Sequence, residues 1–151
     1  MKTIVRKSDN ISLYLFADDK EVTLESDKTV IGPTDNPDLY IADCNSSNVN
    51  VHTSVSNKTD YWGWKYKHDG SAWSANADFK GNNILTSDIN NSVTTIPVGN
   101  TNPFTASGTV KILNEQITYT GVDGTNLTGC TRGANSTSAA AYLSGELVEQ
   151  I

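Results

Sequence analysis

An all-β protein is the fold class that this sequence of 151 residues predicts, and three observations support it. Helical periodicity is nearly absent. Short apolar runs and alternating patterns are interrupted by turn residues at intervals of roughly eight to twelve positions, as in sandwiches and barrels. Asn, Ser and Thr make up about a third of the chain and favour turns and strand surfaces over helix interiors. We therefore expect two small β-sandwich or barrel-like modules joined by a short linker.

The first module is expected over residues 1–80, because most charged side chains lie there. Turn formers separate its apolar runs, and the two prolines of Gly32–Pro37 exclude a central strand at that position. The strands predicted for this module are Lys2–Arg6, Ile11–Phe16, Glu21–Leu24, Thr29–Ile31, Leu39–Ala42 and Val49–Val55.

An aromatic hairpin is predicted at the end of this module, with its turn at Asp69-Gly70. Strand alternation would place Trp62, Trp64 and Tyr66 on one face, with Lys65 and Lys67 on the other. Trp73 belongs to the returning strand. Three roles remain open for the cluster Trp62, Trp64, Tyr66 and Trp73: a hairpin in the module core, an interface with a partner protein, or a surface that stacks sugars.

The second module is expected over residues 84–151, after a linker at Phe79–Asn83. It is polar but nearly uncharged, with seven charged residues. Its predicted strands are Val93–Val98, Thr109–Leu113, Glu115–Thr120, Thr125–Cys130 and Gly145–Gln150. Thr131–Ala141 is expected to be irregular, with a short helical turn near Ser138–Tyr142.

The net charge argues against two classes of partner. A charge of −6 and a pI near 4.7 disfavour nucleic acid and anionic membrane surfaces, both of which attract cationic faces. Three Trp, six Tyr and three Phe disfavour disorder. The residues after Met1 contain no apolar run of the length that a signal peptide has, so synthesis in a cytoplasm is expected.

No constellation of residues in the sequence predicts catalysis. The chain has no GxSxG, HExxH or Walker pattern. We interpret His52 and His68 as surface or hydrogen-bonded histidines, and Cys44 and Cys130 as separate buried thiols. The sequence therefore predicts a protein that is not an enzyme and has neither a metal site nor a cofactor.

A resemblance to virion proteins of tailed bacteriophages is carried by the second module. Its most specific residues are Glu115–Gly121 (EQITYTG) followed by Gly129–Asn135 (GCTRGAN). The pattern resembles a small β-module of tail fibres and baseplate-associated proteins. The first module, with SLYLF, IADCNSSNV and WGWKY, is similar to proteins of marine or cyanobacterial phages.

The resemblance implies a virion structural protein, made in the host bacterial cytoplasm and located in the particle. Other virion proteins of the tail or baseplate would be its partners, and a homotrimer is favoured. Two alternatives remain open: a capsid cement or decoration protein bound to the major capsid protein, and a glycan-binding module for host attachment.

Four residues of the second module are expected to have structural roles. Phe104 supplies core volume, and Cys130 is a buried thiol. Tyr119 can bury its ring while its hydroxyl finds a partner. Arg132 has Glu115 or backbone carbonyls as available partners, or alternatively a contact with another subunit.

Overall fold

The computed structural model describes residues 1–151 and contains 16 strands and no helix, which confirms the all-β class. Consequently the chain has no helix of the length and apolarity that crossing a membrane requires. The chain divides into two compact units, Met1–Phe79 and Lys80–Ile151, here called unit 1 and unit 2.

Unit 1 contains the first eight strands in three small sheets. The sheet orders are β2-β1-β6, β3-β4-β5 and β7-β8, all with antiparallel neighbours. The strands are β1 (Lys2–Arg6), β2 (Ser12–Phe16), β3 (Val22–Leu24), β4 (Thr29–Ile31), β5 (Leu39–Ile41), β6 (Val49–His52), β7 (Tyr66–His68) and β8 (Trp73–Ala75).

The unit 1 core is small and includes Ile4, Ile31, Cys44 and Val49. Thr29 helps to close it, because its buried hydroxyl donates a 2.7 Å hydrogen bond to the carbonyl of Cys44. β6 ends at His52 instead of Val55, since Ser54 adopts a left-handed φ of 56° that an extended strand does not contain.

Unit 2 contains a five-stranded sheet, β15-β12-β11-β16-β9, and a three-stranded sheet, β10-β14-β13. Its core includes Phe104, Tyr119 and Cys130 together with aliphatic side chains of both sheets. The strands are β9 (Asn82–Ile84), β10 (Ile96–Pro97), β11 (Gly108–Ile112), β12 (Glu115–Tyr119), β13 (Gly121–Val122), β14 (Asn126–Thr128), β15 (Thr131–Ala134) and β16 (Leu147–Gln150).

The predicted linker is wrong at its C-terminal end, because Asn82 and Asn83 belong to β9. They pair with Glu149 and Val148 of β16. Polar side chains suit this strand because Asn82 is exposed and Asn83 is half-buried. For the same reason the strand carries no apolar alternation that sequence analysis can detect.

The segment expected to be irregular after Cys130 is also more regular than predicted. Thr131–Ala134 forms β15 and pairs with β12. The helical turn near Ser138–Tyr142 is absent. Instead, Tyr142 forms an isolated antiparallel bridge with Ile89, and each residue donates its N–H to the other's carbonyl at 2.9 Å.

Candidate functional site

The predicted aromatic strand is wrong between Trp62 and Lys65. β7 begins only at Tyr66, and Trp64 has a φ of 66°, which a bulky residue rarely adopts. Lys65 is buried where alternation predicts a solvent-facing side chain. The turn at Trp64 therefore separates the four aromatic residues into two groups.

Tyr66 and Trp73 form the packed group. Their ring centroids lie 6.2 Å apart in an edge-on arrangement. Trp73 also contacts His68, with ring centroids 4.7 Å apart, and its Nε1 donates a hydrogen bond to the carbonyl of Ser56 at 2.9 Å. These contacts hold the β7-β8 hairpin against the rest of unit 1, although both rings are half-buried and lie outside the unit 1 core.

Trp62 and Trp64 form the exposed group, with 44% and 48% of their surfaces accessible. The backbone of Trp64 is nevertheless fixed: its N–H donates to the carbonyl of Ser12 at 2.9 Å, and its own carbonyl accepts from Nδ2 of Asn76 at 2.8 Å. A strained conformation of this kind costs on the order of 1–3 kcal/mol and is characteristic of binding sites. The exposed indoles are thus presented by an ordered loop.

A groove of about 450 Å³ lies beside these indoles. One wall is formed by consecutive residues of β2, Leu13–Leu15, and the other by Tyr61–Trp64; no charged side chain lines it. Gly63 allows the walls to meet at one end, because a Cβ there would lie 3.0 Å from the carbonyl oxygen of Leu13. We call this feature the β2 groove.

Tyr61 anchors the loop from beneath. Its hydroxyl lies 2.9 Å from the hydroxyl of Ser12, which lies 2.6 Å from that of Thr3. Burial raises the pKa of Tyr61 to about 12, although the hydrogen bond with Ser12 acts in the opposite direction. The phenol therefore stays neutral near pH 7 and acts as a hydrogen-bonding support.

A second polar cluster stabilises the same loop around Asp60. Its carboxylate accepts hydrogen bonds from Tyr66 and from Lys65, whose Nζ lies 3.2 Å away. Burial would raise the pKa of Asp60, but these hydrogen bonds and the nearby Lys65 and Lys58 charges outweigh it and hold that pKa below its usual value. The cluster compensates for burying the Lys65 ammonium group.

In unit 2, the two motif segments that carry the phage resemblance meet in space. β12 and β15 are neighbours, and Arg132 donates to both carboxylate oxygens of Glu115 at 2.8 Å. Arg132 also donates to the carbonyls of Asn90 and Ala140, at 2.5 Å each. Glu115 accepts from the backbone N–H groups of Gly133 and Ala140 at 2.8 and 3.1 Å.

This ion pair is structural in character. Glu115 is fully buried, and burial alone would raise its pKa, but the hydrogen bonds from Arg132, Ala140 and Gly133 lower it below its usual value. Both groups are therefore charged and compensated. Phe104 and Tyr119 are both buried in the unit 2 core, and the Tyr119 hydroxyl donates a hydrogen bond to the carbonyl of Thr105 at 3.1 Å.

Sequence analysis missed an apolar patch on unit 2, formed by Ile84, Leu113, Leu143 and Leu147. Between 49% and 66% of each side chain's surface is exposed. Ile84 and Leu147 are directly opposite in the β9-β16 pair. Leu113 lines one surface depression with Leu143 and another with Leu147, so the four side chains share one region of the surface, which Lys111, Glu146 and Glu149 border. The one sequence signal for the patch was the alternation along β16: because Val148 faces inward, its neighbour Leu147 must face outward.

The remaining candidates from the sequence occupy separate positions. His68 is buried and its Nδ1 accepts the N–H of Gly70 at 3.0 Å, while its ring centroid lies 5.4 Å from that of His52. Cys44 and Cys130 are buried free thiols in different units. The structure contains no group of three or more His, Cys, Asp or Glu side chains arranged to hold a metal ion.

Comparisons with known proteins add no family. No protein-family model, curated protein or solved structure matches this chain. Its function must therefore be argued from the β2 groove, the apolar patch and the resemblance of the two motif segments.

Proposed function

We propose that this chain is a non-enzymatic structural protein of a tailed-phage particle, which assembles in the tail, baseplate or fibre region through protein–protein contacts. The observation that carries the proposal is the apolar patch of Ile84, Leu113, Leu143 and Leu147. Several large apolar side chains exposed in one region of a surface mark an interaction site. The patch combines the β9-β16 pair with the β11-β12 turn and the loop at Leu143, so a partner could contact strand and loop residues together.

The motif residues support the same proposal in a different way. Glu115 and Arg132 fix the β12-β15 pair from inside, so the specific part of the resemblance concerns the scaffold. A rigid scaffold held by an internal ion pair suits a particle component that works by contact. Other virion proteins would be the partners, and a homotrimer would bury the patch of each copy.

Two experiments test the proposal. Analytical ultracentrifugation of the purified chain should show a concentration-dependent oligomer, with a trimer favoured. Purified particles of the phage that encodes the chain should contain it. A chain that stays monomeric at high concentration and never copurifies with particles contradicts the proposal. Copy number separates the two locations, because a few dozen copies fit the tail and several hundred fit a capsid cement protein.

A glycan-binding module for host attachment is the second candidate. The exposure of Trp62 and Trp64 on an ordered loop favours it, because aromatic faces stack on sugar rings. Saccharide binding that is lost in Trp64→Ala, with folding intact, would support this candidate. A saccharide panel without any binding would remove it.

A further inference from the structure

The outer edge of β2 loses its hydrogen-bonding partner after Ser12. Up to that residue the edge is paired: the Trp64 N–H donates to the carbonyl of Ser12 and the His68 N–H donates to that of Asn10, at 2.9 and 3.0 Å. At Trp64 the backbone adopts a left-handed φ, and the preceding segment Tyr61–Gly63 lies beside Leu13–Leu15 without a backbone hydrogen bond to it. β2 pairs with β1 alone among the strands, so its outer edge beyond Ser12 is open.

A β-bulge determines which residue faces that open edge. In the β1-β2 pair, Ile4 is opposite Tyr14 and Val5 is opposite Ser12, so Leu13 is the extra residue. A bulge shifts the alternation of the backbone by one position. Before Leu13, even-numbered residues such as Ser12 therefore direct their backbone N–H and C=O groups away from β1; after Leu13, odd-numbered residues do so.

The phase itself follows from the contacts of β1. The backbone N–H and C=O groups of odd-numbered residues in this segment point toward β6, because the Met1 carbonyl accepts from the Val55 N–H and the Lys7 N–H donates to the Asn48 carbonyl. The backbone groups of Arg6 point the other way and bond with Ile11 and Asn10. Lys2 and Ile4 accordingly bond with their opposites on β2, Phe16 and Tyr14. Leu15, between them, directs its N–H and C=O outward along the β2 groove.

We propose that this open edge at Leu15, together with Trp62 and Trp64, binds an extended, uncharged polypeptide segment of another virion chain by strand addition. The proposal rests on the proposed function for the identity of the partner. The segment would exchange two main-chain hydrogen bonds with Leu15 and place an apolar or aromatic side chain between the indoles. Edge strands elsewhere recognise extended peptides through the same combination of backbone bonds and side-chain pockets.

The chemistry of the edge fits this occupant. Natural edge strands are protected by charges or prolines, but Ser12–Phe16 contains neither. No charged side chain lines the groove, so a charged segment would lose hydration without compensation. An uncharged strand loses little hydration free energy on binding, and its backbone can pair with the open edge of β2.

The area is too small for a whole protein surface. A tryptophan side chain buries on the order of 150–250 Å² when covered completely, so two half-exposed indoles offer about 200 Å². A stable interface between folded proteins needs about 800 Å² on each side. The exposed indoles by themselves offer much less than this, and the groove between β2 and Tyr61–Trp64 has room for an extended segment.

Amide hydrogen exchange of the full chain tests the geometry first. The Leu15 amide should exchange at least tenfold faster than those of Tyr14 and Phe16, because only the latter two donate to β1. Equal protection of all three amides overturns the proposal.

Peptide binding tests the occupant. The probes are N-acetylated, C-amidated heptapeptides in which Thr alternates with Val, Trp, Glu or Lys, and the readout is the chemical shift of the Leu15 amide. The Val and Trp peptides should shift this amide and protect it from exchange, while the Glu and Lys peptides bind at least tenfold more weakly. No shift with any peptide overturns the proposal.

Two variants separate main-chain from side-chain recognition. Leu15→Pro removes an outward N–H, so it should reduce peptide binding at least tenfold with unit 1 still folded. Tyr14→Pro is the matched control, because it removes an N–H that bonds with β1 and should unfold the sheet. If Leu15→Pro also unfolds unit 1, the test is the wild-type chain with the Val peptide: slower exchange of the Leu15 amide supports strand addition, and unchanged exchange contradicts it.

A saccharide panel distinguishes the glycan alternative. Saccharides that shift the Trp62 and Trp64 indoles, with no peptide shifting the Leu15 amide, overturn the proposal in favour of sugar binding. Failure of peptide binding by a chain that is present in particles contradicts strand addition alone. Absence from particles, with peptide binding intact, contradicts the proposed function alone.

Discussion

Arg132 donates two parallel hydrogen bonds to Glu115, from Nε to Oε1 and from Nη2 to Oε2, each 2.8 Å long. The two side chains come from the two motif segments and are 6% and 0% exposed. A bidentate pair is the strongest geometry for an arginine and a carboxylate. Backbone groups of Asn90, Gly133 and Ala140 add further hydrogen bonds to the two side chains, so the pair fixes the position of β12 beside β15.

Removing one member of this pair should strongly destabilise the protein. Glu115→Gln leaves the buried Arg132 charge without compensation, and we expect a loss of about 3–5 kcal/mol in the free energy of unfolding. Urea denaturation followed by far-UV circular dichroism measures it. Lys20→Met is the matched control, because its ion pair with Asp38 is about half exposed and screened by water, so its loss should cost far less. Equal effects of the two variants would refute the structural role of Glu115.

His68 should make unit 1 sensitive to mild acid. Its pKa is lowered, first by burial and then by the neighbouring His52, although Asp69 acts in the opposite direction. A folded-state pKa below the unfolded value near 6.5 gives stability that is complete above that pH and is lost as the pH falls further. In an NMR titration, the His68 ring should have a midpoint below 6.5.

His68→Asn provides the control for the pH effect. An asparagine oxygen can accept the N–H of Gly70 as the His68 Nδ1 does, but it does not titrate. Urea midpoints at pH 7.5 and pH 5 should therefore differ less for the variant than for the wild type. An unchanged acid sensitivity, or a His68 midpoint above 6.5, would show that the imidazole is not the cause.

Gly81 should tolerate no side chain. A Cβ at this position would lie 1.3 Å from the carbonyl oxygen of Pro103, so Gly81→Ala requires the backbone to move. Gly124→Ala is the comparison, because its Cβ would contact nothing within 4 Å and its cost, on the order of 1 kcal/mol, comes from a φ of 99° alone. Thermal unfolding should place Gly81→Ala well below Gly124→Ala; the reverse order would contradict the close approach of these two segments.

The apolar patch should control self-association without contributing to folding. The double substitution Leu113→Ser and Leu147→Ser should weaken the proposed oligomer at least tenfold in analytical ultracentrifugation. The free energy of unfolding should change by no more than about 0.5 kcal/mol, since Leu113 is 58% and Leu147 49% exposed. Thr109→Ser and Thr118→Ser on the same sheet form the control pair. Unchanged association of the leucine variant would locate the contact elsewhere.

The sequence predicted the strands whose side chains carry their own signal. β1 and β4 have the predicted bounds, because each is a short apolar run limited by turn residues. The hairpin of β11 and β12 also lies where it was predicted, with Val110, Ile112 and Ile117 alternating inward. The partners expected for Arg132, a carboxylate and backbone carbonyls, are both present.

Other features depend on tertiary contacts that leave no local pattern. β9 is specified by its pairing with β16, and its asparagines by themselves favour a loop. The turn at Trp64 depends on hydrogen bonds from Asn76 and to Ser12, which are distant in the sequence. The β2 groove and the exposure of its indoles follow from that turn, so strand alternation alone predicted a different surface.

Quantitative mass spectrometry of purified particles tests the central proposal most directly. The proposal that the chain is a tailed-phage structural protein predicts its peptides in purified particles at a fixed copy number, with a few to a few dozen copies that remain attached to isolated tails. Abundant chain in the infected-cell lysate, with none in the particles, would contradict a structural role in the virion.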